Sequence, residues 1–148
     1  MAKEIIIELR NGQHFQAFWA KPFVPAEKEV AVILADSKER RVFQLSSVSC
    51  ILMPELLLPE MQAQQDDPYE IIECVTDRIF HVHVLKAHTC PGGFFAVPVD
   101  KSSSLQLIFS TEGGIRSRTK KAPLGKILEE QGLFPRIISS RRWMSRSA

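Results

Sequence analysis

Short apolar runs broken by turn residues recur along the chain from Glu4 to Arg118. In EIIIELRNGQHFQAFWAK two such runs flank Asn11-Gly12, a dipeptide that supplies the positive-φ positions a tight hairpin turn needs. On the second arm Phe15, Ala17 and Trp19 alternate with Gln16, Phe18 and Ala20, the period of a strand with one strongly apolar face. EVAVILADSKERRVFQLSSVSCILM then predicts strands at Val30–Ala35, Arg41–Leu45 and Val48–Met53, with a charged turn at Asp36–Arg40. Residues 1–53 read as a first unit of antiparallel strands.

Pro54, Pro59 and Pro68 punctuate the next stretch, and its Gln and Asp content marks residues 54–69 as a linker. The strand rhythm restarts over residues 70–119. Glu4-Ile5-Ile6 is matched by Glu70-Ile71-Ile72, Asn11-Gly12 by Asp77-Arg78, Phe15 by Phe80, Val32 and Leu34 by Val97 and Val99, and Phe43 by Ile108. The matches from Phe15 onward are spaced slightly closer than the earlier ones, as a deletion in the hairpin turn would explain. This repeat predicts an all-β protein of two small antiparallel barrel-like units, Sm-like in pattern. Units this small bury a modest fraction of their surface, so the two are expected to pack together.

The rhythm changes at residues 120–134, where a short helix is expected. In PLGKILEEQGLF, Leu124, Ile127, Leu128 and Leu133 fall near one face, Pro123 suits the first helical position, and Gly132 suits the left-handed stop. Residues 135–148 show neither helical periodicity nor a cap and read as a loose basic tail.

Charge sharpens this division. The net charge of +2 over 148 residues conceals ten Lys/Arg against fifteen Asp/Glu in residues 1–115 and nine against two in residues 116–148. Arg116, Arg118, Lys120 and Lys121 could contact phosphates, with Phe94 or Phe95 stacking on bases, which makes a nucleic-acid-binding small barrel the alternative function. No apolar run approaches the ~20 residues that cross a bilayer, and Met1-Ala2-Lys3-Glu4 leads into a strand pattern rather than a signal sequence, so a cytoplasmic location is expected.

Candidate chemistry changes the picture little. Cys50, Cys74 and Cys90 are an odd set without CxxC spacing, and free thiols are expected. His81 and His83 share one strand face, with His88 and Cys90 a second such pair, yet zinc sites usually join ligand pairs from separate elements. Neither the glycines of Cys90-Pro91-Gly92-Gly93 nor those of Glu112-Gly113-Gly114 open a helix, so they predict turns and close backbone approach rather than a phosphate cradle. The expectation is a protein without cofactor, metal or catalytic centre.

Leu124-Gly125, then Leu128, then Gly132-Leu133 resembles the LG-x-x-L-x-x-x-GL signature that opens the N-terminal, MshEN-like domain of type II secretion and type IV pilus assembly ATPases. The resemblance implies an accessory or regulatory module of that machinery, with Leu124, Gly125, Leu128, Gly132 and Leu133 contacting a protein partner such as an assembly ATPase. Some family members bind cyclic di-GMP through the motif. Here Pro123 stands where those members carry Arg, and the family's second helix does not follow, so the resemblance implies docking rather than nucleotide binding.

Overall fold

The computed structural model describes residues 3–63, 67–100 and 102–121. Ten strands form one antiparallel sheet: β1 (Ile5–Leu9), β2 (His14–Trp19), β3 (Glu29–Leu34), β4 (Arg40–Gln44), β5 (Val48–Met53), β6 (Tyr69–Cys74), β7 (Ile79–Cys90), β8 (Gly93–Pro98), β9 (Leu107–Thr111) and β10 (Ile115–Lys121). Their order is β10-β6-β7-β8-β9-β5-β1-β2-β3-β4. The sheet is not closed; β10 and β4 are its edges. The barrel-like closure expected for each unit is thus replaced by one continuous open sheet. The expected helix at 120–134 overlaps the end of β10 at Lys120 and Lys121, and the remainder, with the tail, lies outside the described residues.

The strand order reads the same twice. Within the first half the fifth strand leads, followed by the first four (β5-β1-β2-β3-β4), and the second half does likewise (β10-β6-β7-β8-β9). Backbone bonds repeat with it. Leu9 N–H to Gln13 O and Gly12 N–H to Leu9 O recur as Cys74 N–H to Arg78 O and Asp77 N–H to Cys74 O, all shifted by the same step along the chain. Gly12 and Asp77 both hold positive φ, 94° and 70°, as the turn requires. A bulge interrupts β5 at Ser49 and β10 at Arg116, both beside the last residue of the neighbouring strand.

The register also corrects the residue matches. Phe15 does correspond to Phe80, because Ile7 pairs with Phe15 as Ile72 pairs with Phe80. Ile72 therefore repeats Ile7 rather than Ile6, and the hairpin turn contains no deletion. Strand β3 begins at Glu29 and β8 at Gly93, slightly short of the step set by the hairpins, while β4 begins at Arg40 and β9 at Leu107, slightly beyond it. Val32 thus repeats as Ala96, and Phe43 as Ser110. A slip of a single position moves a side chain to the opposite face: Ala96 lies in the second core, while Val97 faces the first.

Each half has its own core. The first gathers Ile5, Ile7, Val30, Val32, Val48 and Ile51; the second gathers Ile72, Phe80, Val82, Phe94, Ala96 and Ile108. The halves join where β5 pairs with β9, in the register Cys50–Ser110 to Met53–Leu107. Both strands are buried on both faces, which is why VSCILM and LIFST are nearly continuous apolar runs rather than alternating ones. Leu107 and Phe109 leave their own half and fill the first core, beside Phe95 and Phe23. The linker contributes too, since Met61 is buried there and Leu56 and Leu57 pack against it.

Close approach at the joint depends on a glycine. A Cβ on Gly114 would lie 2.6 Å from both Cα and O of Ser49, backbone atoms that cannot turn aside. Gly114→Ala is expected to lose about 2–3 kcal/mol of stability through overpacking, read as a lower urea midpoint at unchanged slope; an unchanged midpoint would contradict the tight joint.

Candidate partner-docking surface

The basic strand β10 is held to its neighbour β6 by side chains as well as by the ladder. Arg116, the bulged residue, donates to Glu73 at 2.9 Å, to Asp77 at 2.7 Å and to the Val75 carbonyl at 3.1 Å. Bulges re-aim side chains in this way. Arg118 forks onto Glu70 at 2.8 and 2.9 Å and lies 4.4 Å from the Phe94 ring centre. Lys120 and Lys121 are exposed and make no ion pair among the described residues. The structure therefore brings the four sequence-predicted cations onto one strand but gives the two arginines internal partners. Phe94 and Phe95, 3% and 6% exposed, belong to the two cores and present no face for base stacking. Leu124, Gly125, Leu128, Gly132 and Leu133 lie outside the described residues.

The histidines separate by environment. His81 and His83 do share one face of β7: His81 stacks on Tyr69, and His83 is buried with Nδ1 3.1 Å from the Pro68 carbonyl. A carbonyl only accepts, so that contact requires a proton on Nδ1, while Nε2 has no partner among the described residues. His83, His88, Tyr69 and Lys120 line a cleft of about 390 Å³ between β7 and the linker. A neighbouring cleft of about 880 Å³ has apolar, aromatic walls from Trp19, Phe23, Leu57, Leu58, Met61 and Phe95. Among the described residues no three His, Cys, Asp or Glu side chains gather as a metal site, and no helix is long and apolar enough to cross a membrane.

Cys50 and Cys74 pack in the second core, and Cys90 packs against the first. Burial, then the nearby Glu112 carboxylate, push the Cys90 thiol up, the opposite of what a nucleophile needs. Cys50 is fully buried, and contact with Cys74, burial and the Glu8 carboxylate all push its thiol up. Glu8 itself is 5% exposed and accepts from Arg78 through both oxygens, at 2.6 to 3.1 Å, and from the Thr76 hydroxyl at 2.7 Å. Burial raises the Glu8 carboxyl, but these donors outweigh it and hold the group below the ordinary carboxylate range. The cluster ties β1 of the first half to the hairpin turn of the second.

Sequence reasoning missed two features. Glu8 reads as the polar member of an alternating strand, and only the neighbouring half shows why it is buried. Strand β4 is predicted within one position, but that it is a free edge, with Val42 exposed just after Arg40 and Arg41, carried no sequence signal. No family model, curated protein or solved structure matches this chain.

Proposed function

We propose that the protein is a non-enzymatic interaction module, a two-unit β scaffold that holds residues 123–134 for contact with a protein partner of the type IV pilus or type II secretion assembly machinery. The observation that carries this reading is the internal neutralisation of β10. A surface built for a polyanion leaves its guanidinium groups free for phosphates. Here Arg116 and Arg118 instead fasten the strand to Glu73, Asp77 and Glu70, so β10 acts as the anchor from which Leu124, Gly125, Leu128, Gly132 and Leu133 follow. The secretion link comes from the resemblance of that segment. The reading of each half as an Sm-like unit is supported by the repeated strand order, bulge and turn bonds.

The test is titration of the full chain with a purified assembly ATPase. Leu124→Asp with Leu128→Asp is expected to weaken binding at least about tenfold, as loss of apolar anchors does, while Lys120→Ala with Lys121→Ala leaves it unchanged. Salt-dependent binding of a single-stranded oligonucleotide, lost in the lysine variant and without ATPase binding, would favour the nucleic-acid reading instead.

A further inference from the structure

The joint between the halves is a template for what the free edge at β4 can hold. In that joint β5 lies on β9, and β9 is the repeat of β4. On β9, Leu107 and Phe109 are completely buried. Their repeats on β4, counted from the first residue of each strand, are Arg40 and Val42, and Val42 is 47% exposed. Beside it, Ile33 is 37% exposed, whereas its repeat on β8, Val97, is 6% exposed. Two apolar side chains thus stand in solvent at positions the same fold buries under a paired strand.

The edge also offers backbone groups. Leu34 N–H to Glu39 O and Leu45 N–H to Lys28 O fix which β3–β4 pairs exchange hydrogen bonds. By the alternation of an antiparallel ladder, Arg40, Val42 and Gln44 then point their N–H and C=O away from β3. Neither Arg40 nor Arg41 makes an ion pair among the described residues, in contrast to Arg78, Arg116 and Arg118.

The β10 edge of a second copy is poorly suited to β4. Set in the register of the internal joint, it would put Lys120, the repeat of Met53, opposite Arg40, the repeat of Leu107. Like charges directly opposite are destabilising. We propose that β4 docks an extended strand of a partner protein, one with an apolar residue opposite Val42 and an acidic residue two positions on, opposite Arg40. Main-chain bonds supply the affinity and these two side chains the selectivity. The proposal rests on the reading of the protein as an interaction module, but not on the assembly machinery or on residues 123–134.

The experiment uses the full chain and fluorescein-labelled peptides that repeat Val-Thr-Glu-Thr (Val/Glu) or Val-Thr-Lys-Thr (Val/Lys), which set the charged residue two positions from Val, followed by anisotropy at low ionic strength. The Val/Glu peptide is expected to bind about tenfold or more tighter than the Val/Lys peptide. Arg40→Glu should reverse that preference. Val42→Pro, which removes an outward N–H without touching the β3 ladder, should abolish binding of both. Lys120→Glu should leave it unchanged. Equal or absent binding of the two peptides, or a loss caused by Lys120→Glu, overturns the proposal. So does concentration-dependent self-association of the unaltered chain that Val42→Pro abolishes, because a second copy would then be the occupant. An ATPase that fails to bind leaves this experiment intact, so the two readings fail separately.

Discussion

Truncating Phe109 to alanine is expected to cost about 3–5 kcal/mol, the range for removing a fully buried phenylalanine from a core. Phe109 is 0% exposed, pairs with Ile51 across the joint, and meets Phe95 at 4.9 Å and Phe23 at 5.0 Å. It is the side chain that the second half inserts into the first. Whole-domain stability is ordinarily about 5–15 kcal/mol, so the variant should lose a large part of it in thermal or urea unfolding. The control is Val42→Ala at the repeat position on β4, where 47% exposure predicts a change within about 0.5 kcal/mol. Equal losses in the two variants would mean that β5 and β9 do not form the joint described.

The second large effect is at Arg78. Replacing it with alanine leaves the buried Glu8 carboxylate without its forked partner, and breaking a buried pair costs about 3–5 kcal/mol. The Arg78 side chain is itself 42% exposed, so solvent screening offsets part of the loss and about 2–3 kcal/mol is expected. The pH dependence gives the sign. In the native chain the Glu8 carboxyl is held below its ordinary value, so its contribution is present above the unfolded-state pKa and disappears as pH falls through the folded one. Without Arg78, burial dominates and raises the group, which then folds most readily protonated. The difference in stability between the two proteins should therefore be largest near neutral pH and narrow in acid. A difference that is constant across that range would remove Glu8 as its cause.

Much of the strand content is legible locally. Val48–Met53 has the predicted bounds, and the strands predicted at Val30–Ala35 and Arg41–Leu45 appear one position earlier at both ends. Alternation and turn chemistry act over a few residues, which is why they suffice. The repeat is legible as a rhythm but not residue by residue. Loops of unequal length shorten the repeat distance before β8 and lengthen it before β9, and a match of Val32 to Val97 ignores the face on which each must lie.

The candidate surface divides along the same line. The sequence shows that Arg116, Arg118, Lys120 and Lys121 are concentrated in one segment, because charge is a property of composition. Only the tertiary structure decides that Glu70, Glu73 and Asp77, far earlier in the chain, take up the two arginines while the lysines remain outside. It decides as well that Val42 and Phe109, at one repeat position, meet opposite fates. By itself the sequence determined an all-β chain built twice from one strand pattern. Which strands became the joint and which became free edges was decided by pairing between residues distant in the chain, an arrangement that no local period encodes.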